Sequence, residues 1–187
     1  MAGSGEVTRR ERLNRARVLR AAVELADDSG FDALTMRKLA ERLGVVPMAL
    51  YKHVADKDEL LDGMIDLVFA EAEIPADTDW RIAMRVRARS IRAALLRHPW
   101  AVGRMESGTP GPANLRHHNA VLECLRGEAG FPSRMAVHAY SVMDAYVHGF
   151  ALQEKAIARD IPDYGEEFEF GLNVVLDGLQ RLRIRRS

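Results

Sequence analysis

The 187-residue chain is 48% hydrophobic and 29% charged, with 27 Lys/Arg against 27 Asp/Glu. That length and balance suit a soluble globular protein with one large core or two small ones. Its single cysteine, Cys124, excludes an internal disulfide. No apolar run approaches the ~18–20 residues of a membrane span, and the opening MAGSGEVTRRER lacks the apolar stretch of a secretory signal. The expected location is the cytoplasm, with no membrane partner.

The zero net charge hides an asymmetry. Residues 1–57 carry 11 Lys/Arg against 8 Asp/Glu, and residues 58–187 carry 16 against 19. Arg9, Arg10, Arg12, Arg15, Arg17 and Arg20 face only Glu11 within residues 9–20. A basic front end on a neutral protein suggests contact with a polyanion; a solvated helix face is the alternative.

Strand patterns are nearly absent and helical periodicity runs throughout, so the predicted class is all-α. Residues 1–12 read as a flexible basic tail. A first helix is expected from about Leu13 to Asp28, closed by Gly30. Thr35 caps a second, Met36–Leu43, which Gly44 ends. Pro47 starts a third at the first helical position, where its missing N–H costs nothing. Asp56-Lys57-Asp58-Glu59 is a capping-box pattern, opening a fourth helix that runs to about Glu73. Ile74-Pro75-Ala76-Asp77 breaks the pattern. Further helices are expected over 79–96, 113–128, 133–159 and 163–183, with SGTPGP at 107–112 as a loop. In the helix over 79–96, Arg81, Arg85, Arg89 and Arg92 are expected to face outward.

Two short helices about Gly44, with Leu39, Ala40, Leu43, Leu50 and Val54 for a small core, fit a helix-turn-helix. Leu50 and Val54 turn the third helix inward. Met48, Ala49, Lys52 and His53 then face outward with Tyr51 at the edge, a surface able to enter a major groove.

The stretch LTMRKLAERLGVVPMALYKHVADKDELLDGM is similar to the DNA-binding domain of the tetracycline-repressor (TetR) family of transcriptional regulators. The family's marks are a glycine turn, Leu-Tyr-x-His and a following Lys, present here as Gly44, Leu50-Tyr51-Lys52-His53 and Lys57. The similarity covers residues 13–73. ALLRHPW (94–100), GEAGF (127–131) and the last two helices resemble, more loosely, the regulatory domain of the tetracycline-repressor subgroup. Val46 stands where many members have a small polar cap.

The resemblance implies a helix-turn-helix unit over 13–60 and a helical regulatory and dimerisation unit over 61–187. It places Arg37 at a base edge, guanine most simply, and Pro47, Met48 and Ala49 on apolar base contacts such as a thymine methyl. Thr35, Tyr51, His53 and Lys57 would hold phosphates; Lys38 and Lys52 are phosphate contacts or solvated. The partners expected are double-stranded operator DNA, a second copy of the chain and an unknown small-molecule effector.

His98, Trp100, Met105, His117, His118, Asn119, Tyr140 and Met143 mix apolar bulk with polar groups and suit an effector cavity. His98 lies where the resemblance puts a histidine that ligates a drug-bound magnesium; the other drug positions match poorly, so tetracycline is not expected. His138, Ser141, Asp144 and His148 form a polar strip that is solvent-facing, a dimer seam or pocket lining. The helix over 133–159 is apolar nearly all round. Tyr146 and Phe150 on it, with Phe168, Leu172, Val175, Leu179 and Leu182 at heptad-like spacing beside Gly171 and Gly178, suggest a four-helix dimer interface; a monomeric core is the alternative.

There is no H-E-x-x-H, Cys/His cluster, G-x-S-x-G or phosphate-cradling glycine loop, so no catalytic, metal or cofactor site is predicted. The function expected is a homodimeric repressor released from a palindromic operator by a small hydrophobic effector. The alternative is a DNA-binding regulator with no small effector.

Overall fold

A computed structural model describes residues 12–105, 108–157 and 164–184. Nearly all of the expected tail over 1–12, and the last two residues expected of the helix over 133–159, lie outside them. Among the described residues there are eight α-helices, two 3-10 turns and no strand.

Local chemistry sets the front helices. α1 (Arg15–Ser29) starts where the Asn14 side chain accepts from the Arg17 N–H at 2.8 Å. α2 (Met36–Leu43) starts at Thr35, whose hydroxyl accepts from the Lys38 N–H at 3.2 Å. It stops at Gly44, with φ 66° and ψ 38°. That left-handed conformation costs a side chain about 1–2 kcal/mol and glycine almost nothing. α3 (Pro47–Leu50) has no side-chain cap at Val46. α4 (Lys57–Phe69) begins at Asp56, which accepts from the Glu59 N–H at 2.8 Å. Glu59 answers at the Ala55 N–H, 2.6 Å away, one residue earlier than a capping box predicts.

α4 stops at Phe69, short of the expected Glu73. The chain tightens there through i→i+3 bonds from Glu71 to Val68 and from Ala72 to Phe69. The Glu73 N–H is taken by Ser90 of the next helix at 2.9 Å. α5 (Trp80–Arg97), α6 (Pro112–Arg126), α7 (Ser133–Ile157) and α8 (Tyr164–Ile184) follow.

α1 packs on α2 and α4, and α2 on α3. α4 reaches back to α5 and α6, α5 and α6 pack on α7, and α7 packs on α8. One continuous apolar core results. Its front contains Val18, Leu39, Leu50 and Val54; its back contains Met84, Ile91 and Leu125, with Trp80 edge-on to Phe131 at 5.3 Å. Leu60, Met64 and Val68 of α4 are buried between front and back. Each such Leu, Val or Met contributes ~1.5–3 kcal/mol by leaving water.

The arginines of α5 expected to face outward instead bind the last two helices. Arg85 and Arg89 both reach Glu169 of α8, at 3.0 and 2.6 Å, and Arg81 pairs with Asp177. Arg92 grips Glu154 of α7 with two bonds, at 2.9 and 2.6 Å. The hydrogen bonds from Arg89 and Arg85 outweigh burial and hold the Glu169 carboxyl below the usual range.

Candidate nucleic-acid interface and effector cavity

Burial of Leu50 and Val54 fixes which side of α3 faces out. Pro47, Met48, Tyr51 and Lys52 are exposed, and Ala49 and His53 are half-buried. Met48 at 72% and Val46 at 68% exposure are among the most exposed large apolar residues. Solvated alone they gain nothing; against base methyls they bury apolar area. Thr35, Arg37 and Lys38 sit exposed at the start of α2. Arg37 pairs with Glu41, one turn on, at 3.0 Å, with both side chains well exposed. Such pairs are worth ~0.3–0.5 kcal/mol, so the guanidinium can leave Glu41 cheaply. Lys57, at the start of α4, lies 4.7 Å over the Phe31 ring. The expected DNA-facing residues are thus exposed or half-buried at or near the first turns of α2, α3 and α4.

A cavity of about 430 Å³ opens between α4, α6 and α7. α4 lends it Asp62, Ile65, Asp66 and Phe69; the segment before α6 lends Met105 and Gly108–Gly111; α7 lends Tyr140, Ser141, Asp144, Ala145 and His148. Of the eight residues expected there, Met105 and Tyr140 line it. His118 sits edge-on to Tyr140 at 4.6 Å, one layer back. Met143 is in the core and Asn119 is exposed, away from the lining. Of the polar strip, Ser141, Asp144 and His148 line the cavity and His138 is exposed.

His98 and Trp100 belong elsewhere. His98 places Nδ1 2.8 Å from Asp27 of α1 and Nε2 2.9 Å from Glu71. The Trp100 indole N–H donates to the same Asp27 oxygen at 2.7 Å, and its ring stacks on Phe31 at 6.2 Å. α5 ends at Arg97 and the 3-10 turn Pro99–Ala101 follows, so both rings meet α1. Burial pushes the Glu71 carboxyl up, but the bonds from Arg97 and His98 outweigh this and hold it below the usual range. With both nitrogens committed, His98 does not fit a magnesium-ligating role. Among the described residues no group of three or more His, Cys, Asp or Glu could hold a metal ion.

Sequence reasoning named His117, Tyr140 and Asp144 but missed Arg87, which joins them in a buried centre behind the cavity. Arg87 of α5 is 1% exposed. It pairs with Asp144, donates to His117 Nε2 at 2.8 Å and lies 5.2 Å over the Tyr140 ring. His117 therefore accepts at Nε2 and is neutral. Burial foremost, with the Arg87 charge, pushes its pKa down to about 4. The sign follows: below pH 6.5 the unfolded chain takes a proton that the folded chain refuses until about pH 4. Stability present above pH 6.5 should thus fall by about 3 kcal/mol on acidification to pH 4 through this residue. Denaturant titrations of the protein and of His117→Asn at both pH values check this; an equal loss in both would place the acid sensitivity elsewhere.

The dimer residues split. Phe168, Leu172 and Leu179 are buried in the chain's own core. Phe168 packs on Phe150 and Tyr146 at 5.2 and 5.5 Å, and the Tyr146 hydroxyl donates to the Phe168 carbonyl at 2.7 Å. Gly171 lies so close to Tyr146 that a Cβ would collide with it. Phe168 at the head of the α8 heptad is thus packed on α7 of the same protomer. Tyr146, Phe150 and Val175 are half-buried; only Leu182 is exposed. Exposed apolar side chains remain on both helices: Phe170 and Val174, one turn apart, with Leu182 on α8, and Val137, Val142 and Leu152 on α7. Gly178 has open space beyond it.

A helix-turn-helix in front, joined through one shared helix to a cavity-bearing helical half, defines a DNA-binding regulator of the one-chain sensor type. Residues 18–64 match the family model of bacterial regulatory proteins of the tetR family, and residues 74–160 match the tetracyclin repressor-like C-terminal domain. The chain belongs to the tetR family. It is 36% identical to the tetracycline repressor protein class A from transposon 1721 of Escherichia coli, over 89% of this chain and 90% of that one. It resembles a solved TetR variant of Acinetobacter baumannii AYE in complex with minocycline, with a TM-score of 0.82, 34% identity and coverage of 92% and 99%. It also resembles BioQ solved with its double-stranded DNA operator, with a TM-score of 0.71, 31% identity and coverage of 91% and 99%.

Proposed function

We propose that this chain is a cytoplasmic homodimeric repressor that holds a palindromic double-stranded operator and leaves it when a small effector fills the cavity behind α4. The observation that carries this is the double use of α4. Its first residue, Lys57, is exposed and reaches over the Phe31 ring ahead of α2, and its later turns line the cavity. Among the described residues no helix is long and apolar enough to cross a membrane.

In this reading residues 13–60 form the DNA-binding unit and residues 61–187 the regulatory and dimerisation unit. Arg37 and the apolar lead of α3, Pro47-Met48-Ala49, read sequence. Thr35, Lys38, Tyr51, Lys52, His53 and Lys57 hold phosphates and set the register. A two-fold dimer presents two α3 helices to half-sites one helical turn apart. An effector that favours a different setting of α4 shifts the population toward a conformer whose α3 spacing mismatches the operator.

The test begins with an operator selected from a random DNA pool. Arg37→Ala should weaken binding to it by ~1–3 kcal/mol and relax its sequence preference. Fluorescence anisotropy on operator and scrambled duplexes decides; an equal loss on both would assign Arg37 to the backbone. A ligand that binds in the cavity tightly yet leaves operator affinity unchanged would overturn the release mechanism.

A further inference from the structure

We infer that the effector is an organic cation, a protonated amine on an apolar body, with Asp62 and Asp66 as its counter-charges. This rests on the reading of the cavity as the effector site. Asp62 and Asp66 lie one turn apart on α4 and both line the cavity. Each is half-buried and accepts one backbone N–H: Asp62 from Thr109 at 3.1 Å, Asp66 from Asn114 at 2.9 Å. Among the described residues neither pairs with a cation. Arg15, on the neighbouring groove, is held by Glu59 at 2.9 Å. No Lys or Arg is found among the residues lining the cavity. The third acid of the wall, Asp144, is neutralised by Arg87. Among the described residues the cavity therefore carries two carboxylates with no Lys or Arg counter-ion, and half-buried charge of this kind favours an incoming cation and repels an anion.

A second observation is an unpartnered donor directly behind the same wall. Arg87 is 1% exposed, and its Nη1 is buried with no acceptor. Its guanidinium touches two wall residues, pairing with Asp144 and lying over Tyr140. A buried N–H without an acceptor costs ~1–3 kcal/mol. Arg87 lies behind the lining, so an oxygen on the effector would supply the missing acceptor only where it reached between Asp144 and Tyr140. The class thus includes an amine that also carries a hydrogen-bond-accepting oxygen.

The same two carboxylates connect binding to α4. α6 begins at Gly111 with no side-chain cap of its own. Asp66 supplies that cap from α4, and Asp62 holds the preceding loop. Side chains at positions 108 and 111 would collide with Asp62 and Asp66, so glycine lets the loop lie against them. An ammonium group competes with these backbone N–H groups for the same oxygens, loosening α4 from the start of α6.

Three fluorescent probes of one shape test this on the full-length protein in EDTA: dansylcadaverine, its neutral N-acetyl derivative, and the anionic dansyl-aminohexanoic acid. The cation should bind ~10-fold more tightly than the neutral probe, and the anion most weakly. The double variant Asp62→Asn and Asp66→Asn keeps both backbone acceptors and should erase the preference. Equal affinity of all three probes, each lost in the cavity-filling Ala145→Trp, would refute the cationic class and leave the effector cavity standing. No binding, or binding indifferent to Ala145→Trp, would overturn the cavity reading and this inference with it. A preference that appears only with added Mg²⁺ and vanishes in EDTA would replace the ammonium by a metal ion.

Discussion

Replacing Arg87 with alanine is expected to destabilise the protein by ~3–5 kcal/mol, because it strands a partner charge in the interior. The side chains of Arg87 and Asp144 are 1% and 13% exposed. Alanine leaves Asp144 with no cation and His117 Nε2 with no donor, and opens a cavity beneath Tyr140. For a chain of this length that corresponds to a fall in Tm of roughly 6–20 °C. Replacing both partners, as Arg87→Met with Asp144→Leu, removes the stranded charge and should recover most of the loss. Thermal unfolding of the three proteins decides. A loss below ~1 kcal/mol for the single variant would mean that water already screens the pair.

Phe170→Glu combined with Val174→Glu is expected to separate the dimer. Phe170 and Val174 are 70% and 58% exposed on α8 of a single protomer. Carboxylates there would be buried without partners in any two-fold interface built on this face. Each monomer then meets one half-site, and loss of the linked second contact should lower operator affinity by ~100-fold or more. Leu172→Ala is the contrast: it removes core within the protomer and should cost ~2–5 kcal/mol of stability. Sedimentation with operator anisotropy reads both. A double-glutamate variant that remains dimeric would move the interface to another face.

What was legible in the sequence was local. Thr35, Gly44, Pro47 and Asp56 announce helix ends by chemistry acting within a few residues, and α2 begins and ends where they place it. The capping box at Asp56 differs only in the backbone N–H that Glu59 chooses. Periodicity, by contrast, identifies a stripe but not its neighbour. On α8 the stripe Phe168-Leu172-Leu179 and the stripe Phe170-Val174-Leu182 are both apolar at helical spacing. Only the packing of Tyr146 and Phe150 shows that the first is internal. The partners of the charged residues at and behind the cavity were hidden for another reason. Arg87 finds Asp144 57 positions away, and Asp66 finds Asn114 48 positions away. Nothing near either residue signals the partner. His98 shows the reverse hazard: its motif suggested a ligand site, while Asp27 and Glu71, 71 and 27 positions distant, had already claimed both ring nitrogens.

The joint at Asp27 sets a rule for building hybrid regulators. A hybrid that borrows α1 to α3 from another chain discards the carboxylate on which His98 and Trp100 converge. Their two donors then stay buried against a foreign helix at about 1–3 kcal/mol each. The DNA-reading front is interchangeable only as a matched set with the 3-10 turn that grips it, or with an acidic residue restored at position 27 of the graft.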